Sequence, residues 1–297
     1  PLSPLSPHSS LSPSHHPHIQ KQPWKDKKEM IRRSSPFGHM SGWDLKAVIV
    51  KSGDDLRKET LAMQIIQLIQ RIFESEGIDI SLRSYQILSS ARGAGYVEFV
   101  EGALSIDRIK KSMPDSPHLR TYFTDCFGPS YSPHFNKAIY NFVCSLAGYS
   151  LVTYLLQVKD RHNSNILISS DGAMIHIDYG FILGDSPGFN INFENAPFKL
   201  TREYIELIGG LDSVAFKRFE DLFVKGFFIL QRHHESICAL VELFYGPRRR
   251  AAADSMRARL LFAQTQTDVL SLIRDSYDSW RTKQYDWYQQ RSNNIMM

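Results

Sequence analysis

Residues 158–181 read V-K-D-R-H-N-S-N-I-L-I-S-S-D-G-A-M-I-H-I-D-Y-G-F, and their arrangement decides how the rest of the chain is understood. Two apolar runs, 166–168 and 174–177, flank Ser170-Asp171-Gly172. An Asp-Gly pair between β-branched runs is a strong hairpin signal, because Gly adopts the positive φ that a tight turn needs. Such a hairpin returns Asp178 to the end where Asn165 lies. Both offer hard oxygen donors, and Asp160 and His162 stand just upstream.

The composition sets the frame around this stretch. The chain has 297 residues, 42% hydrophobic and 22% charged, which suits a globular protein with a core divided between two lobes. Its net charge of +4 is local: residues 1–35 hold six Lys/Arg against two Asp/Glu, and the remaining 29 basic and 29 acidic residues cancel. That distribution argues against a nucleic-acid binder. Cys126, Cys144 and Cys238 lie far apart with no C-x-x-C pair, so they read as buried thiols rather than a disulfide or zinc site. From Ala138 to Val158 run 21 residues without a charge. Asn141, Ser145, Gly148, Ser150, Thr153 and Gln157 interrupt that run, which favours a core helix over a membrane span.

In chain order, residues 1–22 are rich in Pro, Ser and His and read as a disordered extension. Pro23-Trp24 opens a basic amphipathic lead-in. The turn-rich segment 34–42 follows, then an expected strand over 43–51 ending in Lys51. Gly53-Asp54-Asp55-Leu56-Arg57 starts a helix whose stripe is Leu61, Ile65, Leu68, Ile69 and Ile72, with Gly77 at its end. Glu59 sits in its first turns, placed to orient the Lys51 ammonium. Taken singly, Lys51 and Glu59 are ordinary surface residues. Residues 95–102, G-Y-V-E-F-V-E-G, fit a hinge between lobes and an ordinary hairpin edge equally well.

Asp160, Asn165 five residues on and Asp178 thirteen beyond that match the spacing of the protein-kinase catalytic loop and metal-binding turn. The first triplet, however, is Asp-Arg-His where a protein kinase has His-Arg-Asp. That reversal, with S-P-F-G-H, V-I-V-K-x-G-D-D-L-R-x-E, V-K-D-R-H-N-S-N-I-L, I-H-I-D-Y-G-F-I-L and A-P-F-K-L-T, resembles the phosphatidylinositol 3/4-kinase superfamily, most strongly the type III beta phosphatidylinositol 4-kinases. The resemblance covers residues 23–297. It implies an α+β, two-lobed kinase-like fold: a small antiparallel-sheet lobe with its hinge over 23–102, and a mostly helical lobe over 103–297. It further implies an ATP site formed by Ser35, Phe37, Gly38, Lys51, Glu59, Tyr85, Glu98, Phe99, Val100 and Ile177, catalysis by Asp160 and His162 with Lys51, and Mg²⁺ or Mn²⁺ on Asn165 and Asp178. Arg161 is expected to brace the loop through an ion pair. Tyr179 departs from the Phe usual in the metal-binding turn, so shifted packing with retained activity is expected.

Between Phe181 and Leu200 one cation, Lys199, faces Asp185 and Glu194. A loop that reads a phosphorylated inositol needs several Lys or Arg, so this one favours plain phosphatidylinositol. The ring position rests on the resemblance alone, which also implies lipid contacts by Phe198 and Lys199. A 3-kinase or an atypical protein kinase would share the same residues; a catalytically dead scaffold would be expected to lack one of Lys51, Asp160, Asn165 or Asp178. Arg248-Arg249-Arg250 reads as a solvated face or an anionic-lipid contact. Tyr277, Trp280, Trp287 and Tyr288 are expected on one stripe of a terminal helix, either docked on the lobe or lying on a membrane. By resemblance the protein is a peripheral enzyme of cytosolic Golgi membranes, recruited by a small GTPase or an adaptor. Such enzymes carry a helical domain ahead of the kinase domain, so the expectation is a fragment, an incomplete gene model or a compact member.

Overall fold

The computed structural model describes residues 24–53, 55–91, 93–186, 196–246 and 250–297. The Pro/Ser/His-rich extension, Asp54, Arg248, Arg249 and residues 187–195 of the segment after Gly180 lie outside them. The basic lead-in is a helix, α1 (Trp24–Ser34), with no buried residue. Strand β1 (Val48–Ser52) is shorter than the sequence suggests. Residues 43–46 are held otherwise: Trp43 N–H closes a turn on Met40, and the Lys28 ammonium pairs with Asp44 on the far side of the loop.

Helix α2 (Arg57–Ser75) begins where Asp55 Oδ1 accepts the Arg57 N–H at 3.1 Å, satisfying a donor that has no partner within the helix. Its buried face is wider than the expected stripe and includes Met63, Ile66, Phe73 and the carboxylate-bearing Glu59. Strands β2 (Ile87–Ala91) and β3 (Ala94–Glu98) complete an antiparallel sheet of order β1-β3-β2. The ladder ends at Glu98. There the Gln86 N–H, which would continue the pairing onto the Glu98 carbonyl, donates instead to the Glu98 carboxylate at 2.8 Å.

After β4 (Ala103–Ser105) come α3 (Ile106–Ser112) and α4 (Leu119–Phe127), separated and ended by the prolines and glycine of this region. The uncharged run forms α5 (Pro133–Leu156), capped by Ser132, with Pro133 in its first turn and Gln157 left-handed at φ 49° at its end. By length and apolar content this is the one helix among the described residues able to cross a membrane. It is instead the core of the larger lobe, packed against α7 (Val214–Arg232), with Phe142, Leu151, Val152 and Leu155 fully buried. Each such side chain contributes roughly 1.5–3 kcal/mol by leaving water.

Strands β5 (Ile166–Ser169) and β6 (Met174–His176) pair with Ile166 opposite His176, and β4 adds to β5. Gly172 turns the hairpin at φ 87°, and a Cβ there would sit 2.7 Å from the Ala138 methyl, so the turn is seated on α5. The remaining chain forms α6 (Arg202–Leu207), α8 (His234–Tyr245), α9 (Arg250–Leu261), α10 (Gln266–Ser276) and α11 (Trp280–Asn293). Cys126, Cys144 and Cys238 are free thiols.

Candidate active site

The hairpin performs the closure expected of it. Ile177 N–H donates to the Asn165 carbonyl at 3.1 Å, so the two polar clusters meet at one end of β5 and β6. Asp160 and Asp178 both sit in the left-handed region, at φ 65° and 62°. That is an uncommon backbone for a side-chain-bearing residue, and such conformations gather at functional sites. The buried Arg161 guanidinium holds the geometry by donating to the carbonyls of Lys159 at 3.1 Å, Ile177 at 2.8 Å and Asp178, with the Tyr179 ring 5.4 Å beneath it. The observed bracing thus runs through backbone carbonyls and an aromatic face.

Lys51 from β1 reaches the same end. Its Nζ lies 3.6 Å from Glu59 Oε2 and 3.6 Å from Asp178 Oδ2, between the helix and the turn that bears Asp178. Glu59 is buried, and its other oxygen accepts from the Tyr85 hydroxyl at 2.6 Å. That hydroxyl also accepts the Asp178 N–H at 3.2 Å. Burial, followed by the charge of Glu59, pushes the Tyr85 hydroxyl well above its ordinary range, so it stays a donor. Tyr85 therefore bridges α2 and the turn that bears Asp178, a contact its place in the sequence did not reveal.

On the catalytic loop, His162 Nε2 is 3.6 Å from Asp160 Oδ1. Burial lowers the His162 pKa, Asp160 opposes the shift and Arg161 adds to it, which favours a neutral ring. Asn165 uses its amide nitrogen on the Asp160 carbonyl at 3.0 Å, which leaves its oxygen for another partner. Asp178 Oδ1 faces the Gly180 N–H at 3.4 Å while Oδ2 faces Lys51. No group of three His, Cys, Asp or Glu among the described residues is placed to hold a metal by itself. Asn165 and Asp178 fit a hard divalent cation that takes its remaining oxygens from phosphate and water.

Ser35, Phe37 and Gly38 form the expected turn-rich loop, and α1 braces it: Gly38 N–H donates to Ser35, and Arg32 Nε donates to the Gly38 carbonyl at 2.9 Å. A Cβ at Gly38 would collide with the Arg32 carbonyl. Phe37 is exposed. At the end of β3, Phe99 is exposed, Val100 is buried, and Phe99 N–H donates to Ala47 at 3.0 Å. Ile177 is half-buried, its carbonyl taken by Arg161 at 2.8 Å.

Two expected assignments need correction. Lys199 is buried and pairs with Asp286 Oδ1 at 2.7 Å, with Asn163 Oδ1 at 3.4 Å; a buried ammonium requires such a partner and is not presented to a lipid headgroup. Phe198 is likewise in the core, its ring 5.1 Å from Phe223. The terminal aromatic stripe also divides. Tyr277 precedes α11 and bridges to Leu200, whereas Trp280, Trp287 and Tyr288 lie on the helix and are 64%, 54% and 48% exposed.

The opposite face of α11 holds what sequence reading missed. Tyr285 donates to Asp160 Oδ1, and Gln289 donates to the Tyr285 hydroxyl at 2.6 Å and reaches Asp160 at 3.5 Å. Asn163 Nδ2 donates to the Met296 carbonyl at 2.8 Å, tying the end of the chain to the catalytic loop. The only signal in the sequence is the i,i+4 spacing of Tyr285 and Gln289, which places both on one helical face.

Residues 46–247 match the family model for phosphatidylinositol 3- and 4-kinase. The chain is 43% identical to phosphatidylinositol 4-kinase beta 1 of Arabidopsis thaliana, with 92% of this chain and 25% of that protein covered. It is 39% identical to a phosphatidylinositol 4-kinase of Dictyostelium discoideum, covering 92% and 24%, and 40% identical to phosphatidylinositol 4-kinase beta of Danio rerio, covering 93% and 34%. It thus spans between 24% and 34% of the length of these relatives. With the family model matched over more than half its length, the chain belongs to the phosphatidylinositol 3- and 4-kinase family.

Proposed function

We propose that this chain is the catalytic portion of a lipid kinase that transfers the γ-phosphate of ATP to the 4-hydroxyl of phosphatidylinositol at the cytosolic face of a membrane. The observation that carries the reading is Lys51, held 3.6 Å from both Glu59 and Asp178 at the end of the hairpin that bears Asn165 and follows Asp160. The 4-position rests on the names of the relatives, which are phosphatidylinositol 4-kinases.

Lys51 binds phosphate oxygens, and the buried Glu59 keeps its ammonium aimed at them. Asp160 or neutral His162 receives the single proton of the attacking hydroxyl, and the other orients it. Asn165 and Asp178 would hold Mg²⁺, which neutralises charge on the transferring phosphoryl group. The exposed Trp280, Trp287 and Tyr288, with Arg291 4.4 Å from the Trp287 ring, supply the aromatic and cationic surface that suits a headgroup region.

The test is incubation of the purified chain with labelled ATP, Mg²⁺ and phosphatidylinositol vesicles, followed by identification of the labelled ring hydroxyl. Label at position 4 that disappears in Asp178→Ala is the expected result. Label at position 3, or on peptide alone, would overturn the assignment.

A further inference from the structure

Lys58 and Glu59 are neighbours in the first turn of α2, and their side chains diverge. Glu59 turns toward Lys51 and Tyr85. Lys58 reaches the segment beyond the metal-binding turn, its Nζ 2.5 Å from Asp185 Oδ2, as an ionic contact rather than an aligned hydrogen bond. The side chains are 29% and 34% exposed, so the pair is screened less than a surface pair.

The backbone delivers Asp185 to that position. Lys159 N–H donates to Phe181 at 3.0 Å and Leu183 N–H donates to Leu156 at 2.7 Å, which fixes the root of the segment to the larger lobe. Leu183 at φ 55° and Gly184 at φ 94° then reverse the chain, and Asp185 N–H closes the turn on Ile182 at 3.2 Å. The carboxylate consequently leaves the larger lobe and meets the helix of the smaller one.

We propose that Lys58 and Asp185 are positioning residues for ATP: an ionic strap that holds the first turn of α2 against the metal-binding turn and so keeps Glu59 within reach of Lys51. The Lys51–Glu59 separation of 3.6 Å is a Coulombic contact without the directional hold of a hydrogen bond, so it depends on where α2 sits. Tyr85 links α2 to Asp178 on one side of the turn, and the strap links α2 to Asp185 on the other. The body of the helix is held by its buried face against α7 and α8, so these two polar contacts set where its first turn lies.

The inference rests on the reading of Lys51 as the phosphate-binding lysine, and the experiment separates the two. Nucleotide affinity is measured with a fluorescent ATP analogue, and KM for ATP and kcat are measured on phosphatidylinositol vesicles. The proteins are the unmodified chain, Lys51→Ala, Lys58→Asp, Asp185→Lys and the double swap. Each single reversal is expected to raise KM for ATP about fivefold with a smaller change in kcat. The swap, which restores opposite charges, should recover most of the loss, and added salt should weaken the unmodified chain toward the single variants. Lys58→Met and Asp185→Asn, with thermal unfolding, cover the case in which a reversal prevents folding. Single variants that bind nucleotide as tightly as the unmodified chain, while Lys51→Ala does not, would overturn the strap alone. So would a swap no better than its parents. Failure of the unmodified chain to bind nucleotide would overturn the strap together with the reading of the site.

Discussion

The Tyr285 hydroxyl donates to the Asp160 carboxylate across 125 positions of sequence. The accepting oxygen, Oδ1, is also the one nearest His162, so the terminal helix occupies an acceptor that an attacking hydroxyl would use. Removing the hydroxyl while keeping the buried ring takes away that donor and leaves Gln289 Nε2 3.5 Å from the same oxygen. Tyr285→Phe is expected to raise vesicle-free ATP hydrolysis by roughly three- to tenfold, the scale of a hydrogen bond to a charged group. ADP release without lipid checks it, and an unchanged rate would mean that the contact does not restrain Asp160.

The outward face of the same helix makes a separate prediction. Trp280 and Trp287 are more than half exposed, and burying such rings in a headgroup region is worth several kcal/mol together. Replacing both by Ala should lower turnover on vesicles at least tenfold. Vesicle-free hydrolysis should stay the same; an equal fall in both would point to loss of helix docking rather than of membrane contact.

Tyr85 serves Glu59 and Asp178 at once, at 2.6 and 3.2 Å. Tyr85→Phe leaves a buried carboxylate oxygen and a backbone N–H without that partner, which should cost about 1–3 kcal/mol of stability. Weaker ATP binding should accompany it. Denaturant unfolding and nucleotide titration on one preparation measure the two effects.

Tyr179 is fully buried, and its hydroxyl has no hydrogen-bond partner among the described residues. Burial pushes that hydroxyl well above its ordinary range. Tyr179→Phe removes an unsatisfied polar atom and keeps the ring under Arg161, so about 1 kcal/mol of added stability is expected, a rise of roughly 2–4 °C in Tm. A fall in Tm would show that the hydroxyl is satisfied in solution.

Lys199 and Asp286, the latter on the buried face of α11, form a buried pair. Asp286→Ala strands the ammonium and should destabilise the chain by about 3–5 kcal/mol, whereas Lys199→Met with Asp286→Leu should recover most of that, since an apolar pair needs no partner. Thermal unfolding of the single and double variants distinguishes a structural pair from a headgroup contact.

Much of this site was legible in the sequence because its signals are local. The hairpin at Gly172 follows from the φ that only Gly adopts without strain, the buried stripe of α2 from helical periodicity, and the meeting of Asn165 and Asp178 from the return of the chain through that hairpin. The reversed Asp-Arg-His triplet, with the motifs around it, carries the family resemblance without any geometry. Lys199 was misread because a lone cation in a loop carries no mark of burial; only the packing of α11 shows that Asp286 is waiting for it. The roles of Tyr85, Tyr285 and Lys58 were hidden for the same reason. Each acts on a residue far away in the chain, and which distant groups meet is set by the joint packing of helices and sheets, a property of the whole fold to which short-range sequence patterns are blind.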